Sequence, residues 1–147
     1  MEKNGFTLVE LLAVLAILAV VIAIAVPSVM GVQESIKNSM LEEKASFIEE
    51  AATLYGQDVK GSVISSDKRY KNNYPCITIK TYELVNNEYL ENDTGNYCNT
   101  TSDGHAGCVV DPSDDKNYLD LYDVVIYYKN KRIYSKVDTQ KTGNLCS

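Results

Sequence analysis

Sixteen consecutive apolar residues, Leu11 to Val26, constrain this 147-residue chain more than any other feature. Phe6 to Val9 extend the run, interrupted only by Thr7 and Glu10. A helix of about 20 predominantly apolar residues spans the hydrocarbon core of a bilayer, so this stretch reads as a membrane segment. Glu10 is out of place in it. A charged side chain there costs roughly 2.5 to 3.5 kcal/mol on insertion scales and normally has an identifiable partner. That partner is the problem the sequence sets.

A secretory signal has a positive leader, an apolar core of about 7 to 15 residues and a small-residue cleavage site. Here the leader is Met1-Glu2-Lys3-Asn4-Gly5, the apolar run is longer, and the chain continues straight into a helical pattern. Ala23 to Ala25 would be the alternative cleavage site. An uncleaved signal anchor is the other alternative, and it leaves Glu10 without a reason. Lys3 and the amino terminus bias the leader towards the cytoplasm, with the C-terminal domain exported.

The string Gly5-Phe6-Thr7-Leu8-Val9-Glu10-Leu11-Leu12 resembles the type III signal of type IV pilins and pseudopilins. The resemblance covers about the first 30 residues. It implies cleavage between Gly5 and Phe6 by a prepilin peptidase and methylation of the new terminus to N-methylphenylalanine at Phe6. Glu10 then lies where the family carries its assembly glutamate, beside Thr7, and Pro27 where many members carry a helix-kinking proline. The implied fold is α+β and pilin-like: one long N-terminal helix packed against a small antiparallel sheet. The implied partners are copies of the chain or other pilins in a mixed filament, the assembly platform and its ATPase, and membrane lipid before assembly. Chemically, cleavage would create a cation at Phe6, one turn from Glu10. A buried carboxylate is tolerable when paired with a cation, and a neighbouring subunit shifted by about one turn would present its amine to the same carboxylate. No cofactor is implied.

The layout expected is a leader over 1–5, a membrane and assembly helix over 6–30, an amphipathic second half over 31–56 and a globular head over 57–147. Pro27 and Gly31 predict a kink or a melted stretch near 23–31. The helix as a whole is expected from Phe6 to Tyr55, near 75 Å if straight, with Gly56 as its stop. Its inward stripe is read as Ile36, Met40, Phe47, Ala51 and Leu54, broadened by Ile48 and Tyr55. Glu34, Lys37, Glu42, Glu49 and Glu50 take the opposite face.

Residues 56–73 read as a loop with a short strand at Val63-Ile64, and Lys68-Arg69-x-Lys71 as a solvated basic cluster, with a grip on DNA or an anionic surface as the alternative. Tyr74 to Lys80 reads as extended, and Thr81 to Leu90 as a short capped helix turning Leu84, Val85, Tyr89 and Leu90 inward. Asp123 to Tyr128 and Arg132 to Val137 are β-prone runs forming a hairpin across Lys129-Asn130-Lys131. Twelve Lys against two Arg, with many Asn and Tyr, reads as an AT-rich bacterial genome; the strand leading into Leu84-Val85 and Tyr89-Leu90 is similar to heads of pilins from Gram-positive bacteria.

The four cysteines, Cys76, Cys98, Cys108 and Cys146, all follow the membrane segment. An even count in a small exported domain indicates two disulfides with three possible connectivities. Cys98–Cys108 with Cys76–Cys146 is preferred; Cys76–Cys98 with Cys108–Cys146 stays open, as do four reduced thiols. No C-x-x-C occurs, so a zinc ribbon is disfavoured. Asp111, Asp114, Asp115 and Asp120 are candidate calcium ligands, set against a solvated acidic turn; calcium needs six to eight oxygens. Asn92-Asp93-Thr94 and Asn99-Thr100-Thr101 fit the glycosylation pattern by chance.

One histidine, His105, no nucleophile–base pair and no phosphate loop leave little for catalysis, and no enzyme is expected. The leading function is a structural subunit of a type IV pilus-like filament at the cell surface, held before assembly as a single-pass membrane protein. A competence or type II secretion pseudopilin is the alternative, and an exported binding domain on an uncleaved anchor belongs to a different class. The lysines from Lys129 to Lys141 favour contact with DNA, while the net charge of −6 weighs against it.

Overall fold

The computed structural model describes residues 7–98, 107–114, 116–143 and 145–147. In order, its elements are α1 (Leu8–Asp58), α2 (Lys60–Ser65), β1 (Arg69–Tyr70), β2 (Tyr74–Lys80), α3 (Thr81–Asn86), β3 (Asp123–Lys129) and β4 (Arg132–Val137). The strands form one antiparallel sheet in the order β1-β2-β3-β4. The architecture is α+β. Contacts divide the chain into two units, Met1–Asn38 and Ser39–Ser147, and α1 contributes to both.

In the first unit α1 runs through Pro27 and Gly31 without a break. The melted stretch expected over 23–31 does not occur. An interior proline removes one hydrogen bond and bends the axis, but the turns on either side keep the backbone helical.

In the second unit the buried face of α1 keeps Ile48, Ala51 and Tyr55 of the stripe expected and replaces the rest. Ala45, Ile48, Ala51 and Ala52 are buried, with Leu41, Tyr55 and Val59 packed against them. Met40, Phe47 and Leu54 are exposed, as is Ile36 in the first unit. The two stripes run side by side on one helix, and the sheet takes the one with small residues. A smooth alanine face lets the helix backbone approach a pleated surface, where dense packing is gained. Gly56 makes the same point. It is an interior residue of α1, not its stop, and a Cβ there would stand 2.5 Å from Ile126 Cγ2 and 2.7 Å from Ile133 Cγ2. Only glycine fits this approach.

Glu49, expected on the solvent face, is half-buried and ties α1 to the edge strand. Its carboxylate accepts the Val137 backbone N–H at 3.1 Å and pairs with Lys136 Nζ at 3.0 Å. Its carbonyl accepts the Ser135 hydroxyl, which also contacts Thr53 Oγ1 at 2.9 Å. The unpaired donor of an edge strand is thus satisfied by a helix side chain.

Val63 and Ile64 are helical in α2, where a strand was expected. Val63 is fully buried and Ile64 is 44% exposed, so one side chain reaches the core from a single turn. The Lys68-Arg69-x-Lys71 cluster, expected in a loop, spans the residue before β1, β1 itself and the turn after it. β2, α3 and the β3–β4 hairpin stand where expected. Thr81 serves differently: its N–H and hydroxyl both bond to the Tyr122 carbonyl, and the α3 start is held by the Lys80 N–H donating to Glu83 Oε1 at 2.9 Å.

The sheet buries Val124 and Ile126 against α1, with Ile48, Leu84, Leu119 and Val109 completing the core. Its other face carries Tyr70, Cys76 and Val125, with Tyr74, Tyr127 and Leu145 packed on them. There Cys76 bonds Cys146 and the tail pairs with β1 through Arg69 and Ser147. The second disulfide, Cys98–Cys108, closes a short loop in the β2–β3 connection. Lys44 on α1 reaches both carboxylate oxygens of Asp93 there, at 2.8 and 2.7 Å.

Candidate functional site

The apolar start of α1 is a long exposed surface among the described residues. From Leu8 to Ala25 the mean hydropathy is 3.0 and none of the stretch is buried. Every large apolar side chain from Leu8 to Ile24 is between 44% and 74% exposed. At 1.5 Å per residue those 18 residues rise about 27 Å, close to the hydrocarbon thickness of about 30 Å. By length and composition this helix is able to cross a membrane.

Glu10 has a partner inside the chain that the sequence reading did not include. Its Oε2 accepts the Thr7 backbone N–H at 2.9 Å and the Thr7 hydroxyl at 2.9 Å. The Glu10 backbone N–H in turn donates to Thr7 Oγ1 at 3.3 Å. This is a reciprocal capping box, in which a threonine and a glutamate three residues on satisfy orphan donors of the first helical turn. The signal was present in the letters as Thr7-x-x-Glu10. The box sets the carboxyl group at the positive end of the helix dipole, where negative charge is favoured. It satisfies hydrogen bonds and holds Glu10 in one conformation; it supplies no counter-charge.

Gly5 and Phe6, the expected cleavage and methylation positions, lie outside the described residues, as do His105 and Asp115. The remaining acidic candidates are not brought together. Asp111 is buried and caps its own turn, accepting Ser113 N–H at 2.8 Å and Ser113 Oγ at 2.6 Å. Asp114 accepts Lys116 N–H and Asn117 Nδ2. Asp120 is buried and accepts the backbone N–H groups of Cys108 and Val109. Among the described residues the one cluster of potential metal ligands is Cys98, Cys108 and Asp120. Its sulfurs are joined in a disulfide, and the thiolate is the form that binds metals.

Elsewhere, Asp138 holds the turn after β4. Burial alone would raise its carboxyl, but bonds from Gly143 N–H, Thr142 and Gln140 N–H outweigh it and hold the carboxyl below its ordinary value. Burial, followed by its neighbours Tyr70 and Tyr134, pushes the Tyr127 phenol up.

An exposed apolar helix with a capped glutamate at its start, in a chain that also carries a disulfide-pinned α+β unit, fits a membrane-anchored, exported protein. Residues 1–26 match the prokaryotic N-terminal methylation motif. The chain is similar to a ComG operon protein 3 homolog of Bacillus licheniformis, 26% identical over an alignment of 91 residues that covers 58% of this chain and 94% of that protein. No solved structure matches. Motif, relative and fold class together support a pilin-like or pseudopilin-like subunit.

Proposed function

We propose that the chain is the structural subunit of a type IV pilus-like filament, stored in the membrane and polymerised through α1. The observation that carries it is the uncovered apolar helix with Glu10 fixed at its start. Lipid covers that surface before assembly, and the same surfaces of other subunits cover it afterwards. Cleavage after Gly5 by a prepilin peptidase exposes an amine at Phe6, which is then methylated. That cation on a neighbouring subunit supplies the counter-charge Thr7 cannot, and the ion pair sets the axial register that apolar packing leaves open. The assembly platform and its ATPase drive extraction. The head is exported and decorates the filament at the cell surface.

Mass spectrometry of the protein from cells tests the first step. The expected product lacks Met1–Gly5 and carries one added methyl on Phe6; an intact amino terminus refutes it in favour of a plain anchor. Glu10→Ala tests the second: filaments of normal yield from that variant refute the register role.

The Bacillus relative favours a second reading, a competence pseudopilin forming a short filament. Sheared surface fractions separate the two, since long filaments support the first reading and loss of transformation without them supports the second.

A further inference from the structure

The Cys98–Cys108 disulfide sits against an acid, and the Cys76–Cys146 disulfide does not. The Val110–Tyr118 bridge and the Leu119 N–H bond to the Val109 carbonyl fold the β2–β3 connection back on itself. That fold carries Asp120 to Cys108. Asp120 Oδ1 accepts the Cys108 N–H at 2.8 Å and Oδ2 the Val109 N–H at 3.3 Å. Asp120 and Cys108 are buried and Cys98 is half-buried. The two sulfurs and an Asp120 oxygen all lie within 4.8 Å of one another. On the other face of the sheet, Cys76 and Cys146 pack among tyrosines, Val125 and Leu145. Among the described residues no third metal ligand joins them.

One contact in this group is not accounted for by the disulfide. Asp120 Oδ1 also stands 2.8 Å from Cys108 Sγ. A disulfide sulfur has no hydrogen to donate, and both Asp120 oxygens already accept backbone N–H bonds. The pair therefore meets as acceptor against acceptor. A thiol proton or a cation between sulfur and oxygen would turn that contact into an attraction. Buried polar atoms normally have such a partner.

We propose that, once this disulfide is reduced, Cys98, Cys108 and Asp120 bind one thiolate-seeking divalent metal ion of the zinc class. Two thiolates and one carboxylate oxygen are a zinc donor set, and a water takes the fourth tetrahedral position. Cys108 is the fixed ligand: its N–H is held by Asp120, and its carbonyl accepts the Asp93 N–H at 2.8 Å. Cys98 is the adaptable one, since its neighbour Tyr97 is 95% exposed, and its half-open side is the entry path for the ion. Reduction by a dithiol passes two electrons and two protons to the sulfurs, giving two thiols and the dithiol's own disulfide. The ion then displaces both thiol protons to solvent. Oxidation by a small disulfide reverses this. The two thiolates give up two electrons, the Cys98–Cys108 bond forms, the oxidant takes up two protons and leaves as two thiols, and the ion is released. The loop is tied in both states, so ion and disulfide are alternative staples, one suited to a reducing compartment and one to an oxidising one.

The test uses the purified full chain in non-ionic detergent, unassembled, so its outcome is independent of filament formation. The chain is reduced with a phosphine, freed of it under argon and titrated with Co(II), whose thiolate charge-transfer band reports sulfur ligands. Zn(II) added afterwards should displace the cobalt. One Co(II) per chain is expected, with the band vanishing when a small disulfide restores Cys98–Cys108. Cys76→Ser with Cys146→Ser should bind as tightly as the parent, whereas Cys98→Ser with Cys108→Ser should abolish the band. Asp120→Asn keeps an acceptor for the backbone N–H groups and should weaken Co(II) binding by about tenfold or more. If that variant loses the near-ultraviolet tyrosine dichroism of the folded head, the two cysteine variants alone decide. No charge-transfer band in the reduced parent, equal losses in both cysteine variants, or undiminished affinity in a folded Asp120→Asn chain overturns the proposal. Equal binding by the oxidised chain overturns it as well.

Discussion

Gly56→Ala separates a helix argument from a packing argument, because the two predict opposite signs. Inside a helix, glycine costs about 0.5 to 1 kcal/mol relative to alanine, so propensity alone makes the change stabilising. The structure places the new Cβ 2.5 Å from Ile126 Cγ2 and 2.7 Å from Ile133 Cγ2. Carbon atoms pack at about 3.5 to 4.0 Å, so both contacts are short by about 1 Å. Ile126 is fully buried and Ile133 nearly so, and both are on strands held from either side or by Glu49. Overpacking of this kind costs about 1 to 3 kcal/mol. With two clashes against a rigid sheet the upper part of that range applies, and the net effect is a loss of about 1 to 2 kcal/mol. Urea unfolding of the full chain in detergent, followed by near-ultraviolet tyrosine dichroism, measures it. Gly31→Ala is the control: nothing lies within 4 Å of its added Cβ, so only the propensity gain remains. In an Ile126→Leu, Ile133→Leu background both β-branch methyls are gone and the Gly56→Ala penalty should shrink. A Gly56→Ala head as stable as the parent, or more so, refutes the account of α1 docking.

Four other outcomes follow from the same structure. Phe47→Ser and Leu54→Ser should leave head stability within about 0.5 kcal/mol, while Ile48→Ala costs about 2 to 5 kcal/mol; equal effects in urea melts would contradict the buried face assigned to α1. Breaking Cys76–Cys146, with a sequence separation of 70, should cost about 4.4 kcal/mol in the chain-entropy relation, against about 2.7 kcal/mol for the separation of 10 at Cys98–Cys108. Paired Cys→Ser variants in urea melts give the order, and a reversed order refutes it. Asp138 is held below its ordinary carboxyl value, so the folded state binds fewer protons than the unfolded one in the carboxylate range. Its contribution is therefore present above the unfolded value and lost as pH falls through the folded one; Asp138→Asn should be less stable near neutrality, with the gap to the parent closing in acid melts. Glu49→Gln removes the ion pair with Lys136 and weakens the acceptor for Val137 N–H, and should cost about 1 kcal/mol, read as faster amide exchange at Val137; unchanged exchange would count against the edge-strand contact.

The letters of this chain determined what depends on neighbours along the chain. The membrane helix is a matter of apolar run length, and the β3–β4 hairpin follows from β-branched and tyrosine residues either side of an Asn-Lys turn. The α+β class followed from these patterns together with the motif. The Thr7–Glu10 box was equally local and was legible as Thr7-x-x-Glu10. Tertiary structure decided the rest. Two apolar stripes run along the second half of α1, and periodicity alone chooses the larger side chains. The sheet chose the alanines and Gly56, because closeness of backbones rather than side-chain size sets packing there. Val63 became helical because one turn carries it into the core. Of the aspartates around Pro112, Asp111 and Asp114 bond within their own turn and Asp120 bonds the backbone of Cys108 and Val109, partnerships that the spacing of the letters does not give. Cys98, Cys108 and Asp120 converge only because the Val110–Tyr118 bridge folds the β2–β3 connection back on itself, a relation that no local pattern encodes.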